Sequence, residues 1–164
     1  MSGPARSPVR GRVRDALASA PACRTPDPAP PPPGPSNLPH VLGLYRALTR
    51  RDWIEIQQRV SADVILSLDG GSEFAGTYRG TGAVLALVAR LEEHLVPGDS
   101  TLADIRDEGA TVRAAVTVSL RRRSGGEDLR AQLHETFRFD REGLIVEVDI
   151  AAADQEGLDA FLGR

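Results

Sequence analysis

The hydrophobic period of this chain first changes early. Val41, Leu42, Leu44, Tyr45 and Leu48 recur at helical spacing, so one stripe of residues is apolar. From Ala62 to Leu68 the pattern alternates instead, with Val64, Leu66 and Leu68 on one face and Ile65 and Ser67 on the other. A third helical pattern follows, and the rest of the chain alternates. Helices gathered at the front and strands at the back predict an α+β domain, in which the helices cover one face of an antiparallel sheet.

Local signals place the elements. Ser36 or Asn37 can cap the first helix, whose first turn holds Pro39. Asp52, with Glu55 three residues on, is a carboxylate variant of the capping box and starts a short second helix expected to bury Trp53, Ile54, Ile56 and Val60. After the turn-rich residues 69–80, Thr81 can cap a third helix carrying Val84, Leu85, Leu87, Val88, Leu91 and Leu95, which stops at Pro97 and Gly98.

Three alternating runs follow. Val112, Ala114, Val116, Val118 and Leu120 share one face of the first, and Leu129, Ala131, Leu133, Glu135, Phe137 and Phe139 share one face of the second. Val146, Val148, Ile150 and Ala152 form the apolar row of the third. A short last helix, capped by Asp154, carries Leu158, Phe161 and Leu162.

Composition bounds the function. Residues 1–36 are rich in Pro, Ala and Arg and bury too little apolar area to offset ordering entropy, so they read as a disordered tail before a single domain at 37–164. A formal net charge of −3 gives no basic footprint for nucleic acid. No run approaches the roughly 20 apolar residues that span a bilayer. The single cysteine, Cys23, excludes an intrachain disulfide, and a cytoplasmic location is the natural expectation. The absence of lysine beside abundant arginine suggests a GC-rich, bacterial coding sequence.

Motifs for covalent, nucleotide or metal chemistry are missing. Gly76, Gly80 and Gly82 lack the Lys-Ser/Thr of a phosphate loop, and no Ser sits in a nucleophile elbow. His40, His94 and His134 stand in no metal-binding pattern, so no metal and no cofactor are expected. What remains is Glu135, a carboxyl in an apolar row between Leu133 and Phe137 and faced by Val116, Val118 and Leu120. Desolvation there would raise its pKa and make it a neutral acid near pH 7. Two other readings stay open: an ion pair with an arginine, or a strand slipped by one residue that leaves the side chain solvated.

The order of elements resembles the nuclear transport factor 2-like superfamily, and within it the SnoaL-like polyketide cyclases and the ketosteroid isomerases. Residues 48–52, 62–64, 76–80, 116–120 and 135–139 carry the resemblance, which covers roughly 38–164. It implies a cone-shaped fold around one hydrophobic pocket, with walls at Leu44, Trp53, Leu68, Val116, Val118, Leu120, Leu133, Phe137, Val148 and Ile150.

In the ketosteroid isomerases a protonated Asp donates a hydrogen bond to the developing enolate, and Glu135 falls on that position. Their general-base Asp falls on Leu68 and their helix-one Tyr on Leu44. A shift of one residue brings in Asp69 as base and Tyr45 as donor, although Asp69 followed by Gly70 and Gly71 is equally a plain turn. His40, one helical turn before Leu44, would reach the pocket mouth or be solvated. The resemblance implies a cofactor-free cyclase or isomerase acting on a small hydrophobic carbonyl or polyketide-like compound, in a homodimer paired through polar sheet faces. The rival class is a non-catalytic ligand-binding or dimerisation domain.

Overall fold

The first helix is started by a residue seventy positions away. In the computed structural model, which describes residues 35–96 and 98–163, α1 spans Leu38–Arg50. Its N-cap, Asn37, makes no capping bond with its own side chain. The Asp107 carboxylate instead accepts from the Asn37 N–H at 2.9 Å, a donor that a helix start leaves unpaired, and from the Ser36 hydroxyl at 2.7 Å. The tail expected at 1–36 lies outside the described residues except for its last two, and Pro97 lies outside them as well.

The chain continues with α2 Trp53–Arg59, β1 Val60–Leu68, β2 Gly76–Arg79, α3 Gly80–His94, β3 Leu95–Val96, β4 Ser100–Asp107, β5 Thr111–Arg122, β6 Leu129–Phe139, β7 Ile145–Ala152 and α4 Gln155–Leu162. Asp52 caps α2 as expected, accepting from the Glu55 N–H at 3.0 Å. Glu55 turns its own carboxylate to Arg59 rather than back to the cap. That guanidinium lies over Gly43, where any Cβ would collide with it, so the glycine lets α2 cross close to α1.

The seven strands form one curled mixed sheet in the order β2-β1-β7-β6-β5-β3, with β4 also paired to β5. β1 runs parallel to β7 and the other pairs are antiparallel. The α+β cone expected from the sequence is present. Its core joins Val41 and Leu44 of α1 to Val112, Phe137, Ile145 and Val148 of the sheet.

Several local expectations are corrected. α2 has no fully buried residue and Ile54 is 71% exposed, because the helix lies on the rim of the cone with one side to solvent. Thr81 is inside α3; the N-cap is Arg79 in an extended conformation, with no side-chain capping bond. β2 replaces part of the expected turn region, and β3 and β4 were not legible as strands. A shift in register between Arg138 and Phe139 pairs Phe139 with Ile145, so Ile145, not Val146, is the fully buried residue at the start of β7.

Candidate functional site

Two elements deliver the polar atoms of the site. Leu44 of α1 points into the core, and the next residue, Tyr45, leans across the cavity with its ring edge-to-face on Phe137 at 6.0 Å between centroids. Its hydroxyl donates to Glu135 Oε2 at 2.6 Å. Glu135 stands on β6 between Ala114 of β5 and Ile150 of β7, and the short side chain of Ala114 leaves room beside the carboxyl.

The pair lies in the wall of an apolar cavity of about 280 Å³ bounded by α1, α2, α3 and the inner face of the sheet. Besides Tyr45 and Glu135, only Gln57 and Thr81 bring polar side chains to its lining. Both members of the pair also border a cleft of about 560 Å³ whose lining includes Arg51, Glu92 and Asp99. The carboxyl and phenol therefore border both an apolar chamber and a cleft with charged residues in its lining.

Burial pushes the Glu135 carboxyl above its ordinary range, and the hydrogen bond from Tyr45 recovers only part of that shift. The Tyr45 phenol is raised far more, first by burial, then by the charge of Glu135 and the bond it donates. Tyr45 therefore stays protonated at neutral pH and serves as a donor. Glu135 is the group that can change state. Its partner is a phenol, not a guanidinium, and it shares the inner row with Phe137, so neither the ion pair nor the slipped strand describes it.

Other expected positions divide by place. Leu44, Trp53, Leu68, Phe137, Val148 and Ile150 line the cavity with Tyr45 and Glu135. Val116, Val118 and Leu120 border the cleft, and Leu133 faces a neighbouring chamber beneath α4. Asp69 is not brought to Glu135. Leu68, Ile150 and Glu135 share one row across the sheet, whereas Asp69 lies beyond the end of β1, at the wall of the chamber beneath α4 and not of the cavity that holds Glu135.

Asp69 instead forms an exposed turn whose N–H donates to the Ile150 carbonyl at 2.9 Å and whose carbonyl accepts from Gln155. His40 packs against Phe139, with Gly143 alongside, because α1 carries its first turn to the β6–β7 hairpin and away from the cavity. Wall residues not expected from the sequence come from α3, including Val84, Leu87 and Val88 of its apolar stripe.

Among the described residues, no cluster of three His, Cys, Asp or Glu side chains is placed to hold a metal ion. No helix among them is long and apolar enough to cross a membrane.

The model of the SnoaL-like domain matches residues 41–148, from α1 into β7, and so includes both Tyr45 and Glu135. The chain belongs to the SnoaL-like domain family. No curated protein matches it. Among solved structures, the SnoaL-like chain is similar to an NTF2-like protein of unknown function from Burkholderia pseudomallei K96243, with 18% identity over 80% of this chain and 100% of that one and a TM-score of 0.71.

It is also similar to TerC co-crystallized with polyporic acid, with 16% identity, 77% and 96% coverage and a TM-score of 0.67. A protein described as a SnoaL-like polyketide cyclase from Shewanella denitrificans OS-217 shares 18% identity over 76% of this chain and 96% of that one, with a TM-score of 0.60. At these identities the neighbours establish the SnoaL-like fold.

Proposed function

We propose that this SnoaL-like domain performs cofactor-free acid–base chemistry on a small hydrophobic carbonyl compound, isomerising or cyclising it through an enolate. The observation that carries the reading is the Tyr45–Glu135 hydrogen bond in the wall of an otherwise apolar cavity. A half-buried carboxyl with a raised pKa is matched to proton transfer near neutral pH. The fold-level likeness to a polyketide cyclase and to a protein co-crystallized with polyporic acid supports this substrate class by analogy.

In this reading Glu135, as carboxylate, takes a proton from the carbon beside the carbonyl, and the electron pair moves onto the carbonyl oxygen. Tyr45 turns its O–H from Glu135, now neutral, to the enolate oxygen and stabilises the negative charge there. Protonated Glu135 then returns its proton to the conjugated carbon in an isomerisation. In a cyclisation the enolate carbon attacks a second carbonyl, and Glu135 protonates the new alkoxide. One carboxyl acts as both base and acid, so no second base is required at the position held by Leu68.

The apolar residue at Leu68 also favours a second reading, in which the cavity binds its ligand without turning it over. Deuterium uptake beside the carbonyl of hydrophobic cyclic enones, followed by NMR in heavy water, separates the two. The catalytic reading expects uptake faster than in buffer, slowed by about 10²–10⁴ in Glu135→Gln and less in Tyr45→Phe. Binding of the enones with no acceleration, or acceleration that survives Glu135→Gln, sinks it.

A further inference from the structure

A second apolar chamber, of about 200 Å³, lies next to the cavity that holds Glu135. Leu133 and Ala152 lie on its sheet side and Leu158 and Leu162 of α4 on its helix side, with Asp69, Ser72 and Gln155 as its polar wall residues. Leu68, Leu91 and Ile150 line both spaces, so the partition between them consists of flexible aliphatic side chains. Along the strands the second chamber begins one inward-facing pair beyond the site: Glu135 is opposite Ile150, and Leu133 is opposite Ala152. Two residues of strand are about 7 Å.

The helix side shows a mismatch between polar and apolar contacts. α4 is tied at its rim: Gln155 donates to the Asp69 carbonyl at 3.0 Å, Asp159 accepts from the Gly71 N–H at 2.7 Å, and the Arg122 guanidinium donates to the Phe161 carbonyl at 2.9 Å. Yet no residue of the helix is fully buried. Its apolar side covers a space rather than a packed core. Such a void forfeits dispersion contacts on every lining side chain, and a guest of matching shape would supply them.

We propose that the two chambers hold one ligand: an elongated carbonyl compound whose polar head sits at Tyr45 and Glu135 and whose alkyl tail passes Leu68, Leu91 and Ile150 to lie under α4. This rests on the reading that the Glu135 chamber takes a hydrophobic carbonyl compound, and it narrows that class to long-tailed members. α4 is then the element that sets how long the tail can be.

The chain provides its own reporter, because Trp53 is the sole tryptophan and borders the Glu135 chamber. The probes are unbranched alkyl methyl ketones with chains from butyl to dodecyl, titrated against the full-length protein by tryptophan fluorescence. Affinity is expected to rise by about fourfold per methylene, and to keep rising beyond the chain length that fills the first chamber. Ala152→Phe, which fills the second chamber, should leave short ketones within about twofold of wild type and flatten the rise at a shorter chain. Leu158→Ala, which widens the same chamber, should move the plateau to longer chains and serves as the test should Ala152→Phe fail to fold.

A chain-length profile that is the same in wild type and in whichever variant folds overturns the proposal. So does a plateau in wild type at the length where Ala152→Phe levels off. In both cases, binding of short ketones leaves the Glu135 site standing. Failure of every ketone to bind overturns the site reading and this inference together.

Discussion

At the scale of single residues, the site depends on one carboxyl kept against its solvation preference. Burial raises the folded pKa of Glu135 above its unfolded value of about 4.3. The sign follows: its contribution to stability is fully present below the unfolded pKa and is lost as pH rises through the folded one. Glu135→Gln keeps an acceptor for the Tyr45 hydroxyl and removes the ionisation. The variant is expected to match or exceed wild type in stability near pH 7, by about 1.4 kcal/mol for each unit of the shift. Urea unfolding from about pH 4 to 8 checks this, and a variant less stable than wild type at pH 7 would show that the charged form is favoured.

The same residues show what a sequence discloses about a site. Glu135 was legible because it interrupts a period-two apolar row, a signal carried by its own neighbours. Its pairing with Tyr45 was not, because two positions ninety residues apart meet only through the crossing of α1 over β6. Asp69 was a candidate on chemistry alone. It lies beyond the end of β1, and only the register with β7 shows that Leu68 holds the position in the row of Glu135.

At the scale of elements, strong local periodicity was sufficient for α1, α3, β1, β5, β6, β7 and α4. The strands that escaped, β2, β3 and β4, make their pairings at the margins of the sheet, and a shift between Leu102 and Asp104 breaks the alternation of β4. β4 nevertheless supplies Asp107, the acceptor at the start of α1. The Ser36 hydroxyl and the Gly109 N–H hold that carboxyl below its usual range. Its stabilising effect is present above the unfolded pKa and fades as pH falls through the lower folded value. Asp107→Ala should cost about 1 kcal/mol at pH 7, as loss of a helix cap does, and Asp107→Asn, which keeps one acceptor, should cost less. Equal stability of all three proteins in urea at neutral pH would remove Asp107 from the start of α1.

At the scale of the whole molecule, the side of the sheet opposite the cavity offers a surface that is polar and of mixed sign. Arg138 bridges Glu147 at 2.9 Å and Asp149 at 2.7 Å, Arg113 pairs with Glu108, and Arg121 pairs with Asp128. Arg130, Gln132 and His134 are exposed on β6 among these pairs. A two-fold axis through such a face sets the arginines of one copy opposite the carboxylates of another, and the surface is then its own complement. We propose a homodimer paired through this face, with the two cavities turned outward. Surface ion pairs are screened once the Debye length falls from about 10 Å at 0.1 M salt to about 3 Å at 1 M, so the dimer should weaken as salt is added. Arg130→Glu changes the sign at an exposed position without touching either chamber, and should shift the equilibrium toward monomer while the ketone affinities stay unchanged. Sedimentation velocity reads both effects. A wild-type monomer at tens of micromolar in moderate salt, or a dimer indifferent to both salt and Arg130→Glu, would place the contact elsewhere or remove it.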